Sequence, residues 1–328
     1  MLGAIVTLLS RLSAAPNAAG ALALGLALAA WLGAALPAAD MINALAPAWC
    51  AGSAAAAAVL RLWRPAAGDA IRACIAASAM HGALIVPEAF AALAPKEASQ
   101  PAQASVRVVT LNVWDLNPDP SRAAAYLAAS DADFVILQEM GDDTLAALAP
   151  LRARYPYWTR CTSWPYCRLT ILSRTPPRDE GRETPTGMFG VRAHRHYPLL
   201  TRLVAATYTL ESGAVVRIIG VHARRPPPLF AQTRDTRFLL RELRRFPRTH
   251  TIVAGDFNLT PWSFGLRRLD AESGLRRHTR ALATWPVPVA ALPIDHVYAG
   301  AAFAALDVRA GPDVGSDHRP IEARFALR

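Results

Sequence analysis

Two long stretches without a single charge constrain this chain more than anything else in it. No charged side chain falls between Arg11 and Asp40, and none between Asp40 and Arg61. The first window holds AAGALALGLALAAWLGAALP and the second MINALAPAWCAGSAAAAAVL. Crossing roughly 30 Å of hydrocarbon takes about 20 mostly apolar residues in a helix, so both windows are long enough to span a bilayer. A third segment, IRACIAASAMHGALIVPEAFAALAP, carries His81 and Glu88, and spans only if Glu88 lies at the far interface. An Ala-rich soluble helical domain is a competing reading, since Ala favours helix in water as well. A cleaved secretion signal competes for the first window alone. Three successive apolar segments favour a membrane-spanning helical region over residues 1–95.

Arg61, Arg64 and Arg72 crowd the link between the second and third segments, while Asp40 alone marks the link between the first and second. The positive-inside bias puts the Arg-rich link in the cytoplasm. With three spans, the amino terminus is then inside and everything after about residue 95 is outside. This is the layout of a multi-pass cell (inner) membrane protein with a periplasmic or extracellular domain. Residues 96–105, KEASQPAQAS, are small and polar and read as a linker to a domain over 106–328. Cys50 and Cys74 fall in the spans as small apolar groups. Cys161 and Cys167 bracket CTSWPYC, a spacing that permits a small disulfide loop in an oxidising compartment.

The apolar segments explain why 53% of the 328 residues are hydrophobic and only 18% charged. Disorder, collagen and a disulfide-dense mini-protein are excluded by that composition. The first 104 residues hold five basic and four acidic side chains; the rest hold 30 basic against 21 acidic. Such a balance suits an anionic partner, whether phosphate ester, nucleic acid or lipid headgroup. Biased codon usage is the stronger reading of it, because every basic residue except Lys96 is Arg.

From residue 106 the pattern alternates. VRVVTLNVW and DFVILQEM read as strands, as do RLTILS, LVAATYTL, VVRIIGVH, HTIVAGDF, IDHVYAG and RPIEARFAL. SRAAAYLAAS, opening on a Ser cap, reads as helix; so do DDTLAALAPLRARY and the amphipathic LFAQTRDTRFLLRELRRF. Many strands with few helices between them give an α/β or α+β fold of two packed sheets covered by helices.

The polar residues that could do chemistry sit at the ends of those strands: Asn112, Glu139, His222, Asp256 and Asn258, then Asp295 and His296 in PIDHVY and Asp317 and His318 in GSDHRP. Singly, each is a weak signal, since a strand-terminal Asn or Asp is more often a turn former. Together they are what hydrolysis of a phosphate ester around a divalent cation requires: oxygen ligands, donors for the phosphate oxygens and a base for water. His296, adjacent to Asp295 on a strand, points to the opposite face and reads as structural.

LNVW, QEM, GDFN, IDHV and SDHRP, in this order, resemble the endonuclease/exonuclease/phosphatase (deoxyribonuclease I-like) superfamily, over about residues 106–328. The three-span amino terminus resembles a bacterial membrane-anchored subset of it. The resemblance implies a four-layer α/β/β/α sandwich of two mainly antiparallel sheets. It also implies Mg²⁺, with Mn²⁺ as an alternative, held by Glu139 with Asn112 and Asp317. Asp256 and Asn258 match the pair that orients or deprotonates the attacking water and binds phosphoryl oxygens. His318 matches the histidine on the scissile phosphate, held in its tautomer by Asp295, with the choice of base between Asp and His left open. His222 matches a phosphate ligand or leaving-group acid found in deoxyribonuclease I and sphingomyelinases but absent from AP endonucleases. Trp114 stands where AP endonucleases carry an Asp, which puts a second metal position in doubt. Trp262 and Arg319 are candidates for substrate contact, and the aromatic and basic stretch from Arg152 to Arg168 is either a substrate loop or partly buried core.

The expected activity is a Mg²⁺-dependent phosphodiesterase, nuclease-like, tethered to the bilayer. A lipid-headgroup phosphodiesterase or phosphatase is the alternative, and a catalytically silent binding domain a more distant one, because a degenerate site would have lost more of the set. No protein partner is implied.

Overall fold

The computed structural model describes residues 2–93, 104–161, 168–178, 203–225, 231–244 and 246–328. Residues 94–103, which hold most of the linker read over 96–105, lie outside these residues, as do Trp164, Tyr166 and Cys167 of the aromatic stretch, while Ala104 and Ser105 already belong to a strand. The chain forms two compact units: Met1–Leu93 together with Thr260–Arg267, and Ala94–Leu259 together with Arg268–Arg328.

The first unit is built on three helices, α1 (Leu2–Leu32), α2 (Ala46–Trp63) and α3 (Gly68–Leu93), with a 3₁₀ turn at Ala39–Leu45 ahead of α2. All three are long and apolar enough to cross a membrane. Large apolar side chains such as Leu22, Val59, Ile75 and Phe90 point outward, as expected where lipid is the solvent. Small residues bring the helices together: a Cβ on Gly20 of α1 would stand 2.8 Å from the Cα of Ala70 in α3. Between α2 and α3, the Ser78 hydroxyl donates to the Cys50 carbonyl at 3.0 Å. The third helix runs unbroken through Pro87 and Glu88, and Glu88 is buried.

The second unit holds two sheets. In the first, β10 (Phe303–Ala310), β11 (Ile321–Leu327), β1 (Ala104–Asn112), β2 (Phe134–Gln138), β4 (Thr170–Ser173) and β3 (Tyr157–Arg160) lie side by side in that order. The second runs β5 (Leu203–Thr209), β6 (Val215–His222), β7 (Thr251–Asp256), β9 (Asp295–Ala299) and β8 (Arg276–Arg277). Pairing is antiparallel except at β1–β2 and β6–β7. Parallel neighbours need a crossover, and α4 (Ser121–Ala129) and α6 (Ala231–Leu243) lie on those two connections. Ser121, read from sequence as a cap, is the first residue inside α4. Pro120 holds the N-cap position without a side-chain bond, and Asp119 before it accepts the Ser121 N–H at 3.2 Å.

Side-chain alternation sorts the layers. Val106 and Val108 of β1 and Phe134 and Ile136 of β2 face a core shared with Ile218 and Ile252 of the other sheet. Their neighbours Val109, Leu111, Val135 and Leu137 face Leu127 of α4 and Leu148 of α5 (Asp142–Leu148). Phe238 and Leu239 of α6 meet Leu203 and Val221 on the outer side of the second sheet. The sheets approach closely at Gly220, where a Cβ would stand 2.9 Å from methyl groups of Ile136 and Val204. Four layers of helix, sheet, sheet and helix result. Cys161 is disulfide-bonded, whereas Cys50 and Cys74 are free thiols.

Candidate active site

Strand register brings the predicted residues to one rim. Asn112 ends β1 opposite Gln138, so Glu139 follows at the carboxyl end of the neighbouring parallel strand. His222 and Asp256 are paired at the carboxyl ends of β6 and β7. Asp256 also pairs with Asp295, the first residue of antiparallel β9. Thr110 pairs with Ile321, so the loop before β11, with Asp317 and His318, reaches the same end of β1. Ligands commonly bind beyond the carboxyl ends of parallel strands.

Hydrogen bonds join the two sheets' contributions. The Asn112 amide donates to Glu139 Oε1 at 3.0 Å and to Asp256 Oδ2 at 3.2 Å. Its own oxygen accepts the Trp114 N–H at 3.0 Å. His222 Nε2 lies 3.5 Å from Glu139 Oε1 and 3.9 Å from Asp256 Oδ2. Asp256, fully buried, accepts the Asn258 N–H at 2.8 Å, and the Asn258 amide reaches both Asp256 and the Ala223 carbonyl. His318 Nε2 lies 3.9 Å from Asp256 Oδ2, while its Nδ1 meets Asp295 Oδ2 at 2.8 Å. His296 faces away, bonded to Thr279 and the Leu259 carbonyl, and burial pushes its pKa down to about 3.

The backbone is bent into unusual conformations here: Trp114, Glu139 and Asn258 have φ of 60°, 58° and 50°. Left-handed non-glycine residues concentrate at functional sites. Gly255 of GDFN has φ 147°, and a Cβ there would sit 1.9 Å from the Val221 carbonyl oxygen; only glycine fits before Asp256.

Electrostatics separate the three ionisable centres. Burial works against ionising Glu139, yet His222, the Asn112 amide, the Asp115 N–H and Arg225 outweigh it and hold the carboxyl down at about 2. Burial and the neighbouring Asp295 carboxylate push Asp256 up to about 7. Burial alone would lower His318, but the charge and hydrogen bond of Asp295 raise it to about 9.

Several residues here are not evident from sequence. Arg225 donates to Glu139 Oε1 at 2.8 Å. Thr284 donates its hydroxyl to Asp295 at 2.6 Å, and Trp285 its indole N–H to Asp317 at 3.0 Å. Ser316 bonds the Asn112 carbonyl at 2.6 Å and accepts the His318 N–H. The nearness of Arg225 to the His222 strand end and the place of Ser316 as the first residue of SDHRP were the available signals. Arg319 keeps its backbone on Thr284, and its buried Nε has no partner among the described residues. Trp262, a candidate for substrate contact from sequence, belongs to the helical unit, where its indole N–H donates to the Ala44 carbonyl at 3.1 Å and its ring packs with Ala46 and Leu84.

The sequence profile of the Endonuclease/Exonuclease/phosphatase family matches residues 109–318, the span that holds this whole constellation. The chain belongs to that family. An endonuclease/exonuclease/phosphatase from Beutenbergia cavernae superposes with a TM-score of 0.52 at 21% identity, covering 69% of this chain and 72% of that one. The human Nocturnin catalytic domain, solved with a bound sulfate, gives 0.53 at 17% identity, covering 68% and 95%. Truncated Caenorhabditis elegans TDP2 gives 0.51 at 18% identity, covering 68% and 98%. No curated protein sequence matches the chain significantly. In this endonuclease/exonuclease/phosphatase fold, each sheet delivers an acid, Glu139 from one and Asp256 from the other, bridged by a single amide.

Three side chains, Asp256, Asp295 and His318, have donor atoms all within 4.8 Å of one another. Asp295 Oδ2 is already shared by His318 and the Thr284 hydroxyl, so two of the three are committed to each other, with Asp256 Oδ2 3.9 Å from the other nitrogen of the imidazole. A hard cation is better served by the ionised Glu139, by the second lone pair of the Asn112 oxygen, and by Asp317 Oδ1, which is buried without a hydrogen-bond partner.

Proposed function

We propose that the chain is a Mg²⁺-dependent phosphoric ester hydrolase, a phosphodiesterase, anchored in the membrane by its three helices. The observation that carries this reading is the Asn112 amide held between Glu139 and Asp256, with His222 and His318 on either side. Glu139, with Asn112 and Asp317, would hold the cation, which when bound neutralises charge growing on the phosphoryl group.

Asp256, with a pKa near neutrality, accepts the proton of the attacking water, while the Asn258 N–H and amide fix the direction of its oxygens. His318 stays protonated at neutral pH and presents Nε2–H to a phosphoryl oxygen, its Nδ1–H fixed on Asp295. His222 is placed to give a proton to the leaving oxygen. Arg225, which donates to Glu139 Oε1 at 2.8 Å, offsets the charge of that carboxylate.

The excess of basic side chains in the second unit favours a nucleic-acid ester; the membrane helices and His222 favour a lipid headgroup. Turnover on DNA that falls steeply with salt supports the first, since polyanion binding releases counterions, and flat salt dependence supports the second. The Arg-rich link between α2 and α3 and the disulfide at Cys161 support a domain outside the cytoplasm.

The test is a panel of phosphoesters (duplex and single-stranded DNA, RNA, sphingomyelin, phosphoinositides) offered to the full chain in nanodiscs with Mg²⁺ or EDTA. Glu139→Ala, Asp256→Ala and His318→Ala are each expected to lose on the order of 10²–10³ in kcat. Near-normal turnover in all three ends this reading.

A further inference from the structure

The segment Thr260–Arg267 begins two residues after Asn258, yet it is packed within the helical unit. Four contacts hold it there. Asp40, the one acid between the first two spans, is buried, and its two carboxylate oxygens accept the N–H groups of Phe264 and Gly265, each at 2.8 Å. Trp262 donates to the Ala44 carbonyl at 3.1 Å, and Arg267 donates to the Leu84 carbonyl. The Phe264 ring meets Trp31 edge-on at 5.9 Å between centroids.

Asp40 is itself fixed. Asn43 donates to Asp40 Oδ1 at 2.7 Å and to the Ala30 carbonyl at 3.0 Å, tying the 3₁₀ turn to the end of α1. Phe264 and Gly265 open α7 (Phe264–Glu272), and the first N–H groups of a helix have no partner within it. A carboxylate there satisfies two of them and also meets the positive end of the helix dipole. Just ahead of the helix, the Ser263 hydroxyl accepts the next N–H, that of Leu266, at 3.3 Å, and the Ser263 carbonyl accepts that of Arg267 at 3.2 Å.

We infer that Asp40 is a positioning residue for the hydrolytic site. It fixes the downstream end of the Asp256–Asn258 segment, so the membrane bundle is part of the active enzyme as well as its anchor. Asn258 holds a left-handed backbone at φ 50°, a conformation that persists only when the chain is restrained on both sides. Strand β7 restrains it upstream. Downstream, Leu259 offers its carbonyl to His296, and the next residues are those seated by Asp40. Released from that seat, the segment loses the restraint that aims Asp256 and Asn258 at the attacking water.

The inference rests on the phosphoesterase reading, and two readouts separate them. Amide exchange of the full chain in nanodiscs measures protection at Phe264 and Gly265. Steady-state kinetics on bis(p-nitrophenyl) phosphate with Mg²⁺ measure the consequence for the site. Asp40→Ala is expected to abolish the protection and to lower kcat at least tenfold, with KM changed less than twofold. Asp40→Asn, which keeps one acceptor, falls between. Ser78→Ala, which loosens α2 from α3 without touching residues 260–267, leaves both readouts at wild-type values. Unchanged protection in Asp40→Ala, or a kcat equal to that of Ser78→Ala, overturns the inference. A wild-type chain inactive on every phosphoester sinks the hydrolase reading instead.

Discussion

At His318 two influences oppose each other. Burial disfavours the charged imidazole and the Asp295 carboxylate favours it, and the second wins, raising the pKa to about 9. Asp256, by contrast, is pushed up to about 7. If Asp256 must be ionised and His318 protonated, activity rises with pH through about 7 and falls through about 9. Asp295→Asn removes the two largest influences that raise His318 and leaves those of Asp256 and Asp317, so the alkaline limb of the pH–kcat profile is expected to move down from about 9, towards the ordinary imidazole range near ~6.5. An alkaline limb that stays in place would show that another group sets it. The residues in direct reach of these atoms were legible because each flanks an apolar run, Asp256 at the end of one, Asp295 at the start of another and His318 just ahead of a third. Arg225, Thr284 and Trp285 were not, since nothing in linear order marks which distant side chain folds back onto Glu139, Asp295 or Asp317.

The elements that position the site are the two crossover units. β1 and β2 are parallel because α4 carries the chain back between them, and α4 is held by Leu127, which is fully buried among Val109, Leu111 and Leu148. Leu127→Ala is expected to cost about 2–5 kcal/mol of stability, read as a lowered Tm of the second unit. A loss below ~1 kcal/mol would mean that α4 is dispensable to the sheet. Every strand read from sequence is present, because each carries enough apolar and β-branched residues to bury at least one face, even β11, where Arg324 is exposed. β10, FAALDVRA, escaped notice as an edge strand whose Asp307 and Arg309 break the run. α7 escaped because FGLRRLDAE follows a loop motif and shows only two turns of helical spacing. Asp40 stood out in the sequence only as a lone charge between apolar windows, and its part as a helix cap depends on residues more than two hundred positions away.

For the whole molecule, the reading of sequence placed a boundary near residue 95, whereas eight residues from the middle of the second unit's sequence pack with the helices. A soluble fragment starting at residue 105 therefore loses Asp40, Ala44 and Leu84 and bares Trp262 and Phe264. It is expected to turn over phosphoesters at least tenfold more slowly than the full chain and to bind apolar dyes; equal turnover would show that the helices only anchor. The membrane orientation has its own check. Protease added to intact spheroplasts should digest residues 106–328, and protection until the cells are lysed would reverse the orientation. Because one acid comes from each sheet and Gly220 lets the sheets close to contact with Ile136 and Val204, the gap between Glu139 and Asp256 is gauged by aliphatic methyl groups deep in the interior. A substitution that thickens this apolar layer by one carbon, far from any reacting atom, would retune the width of the cleft while every ionisable group stayed in place.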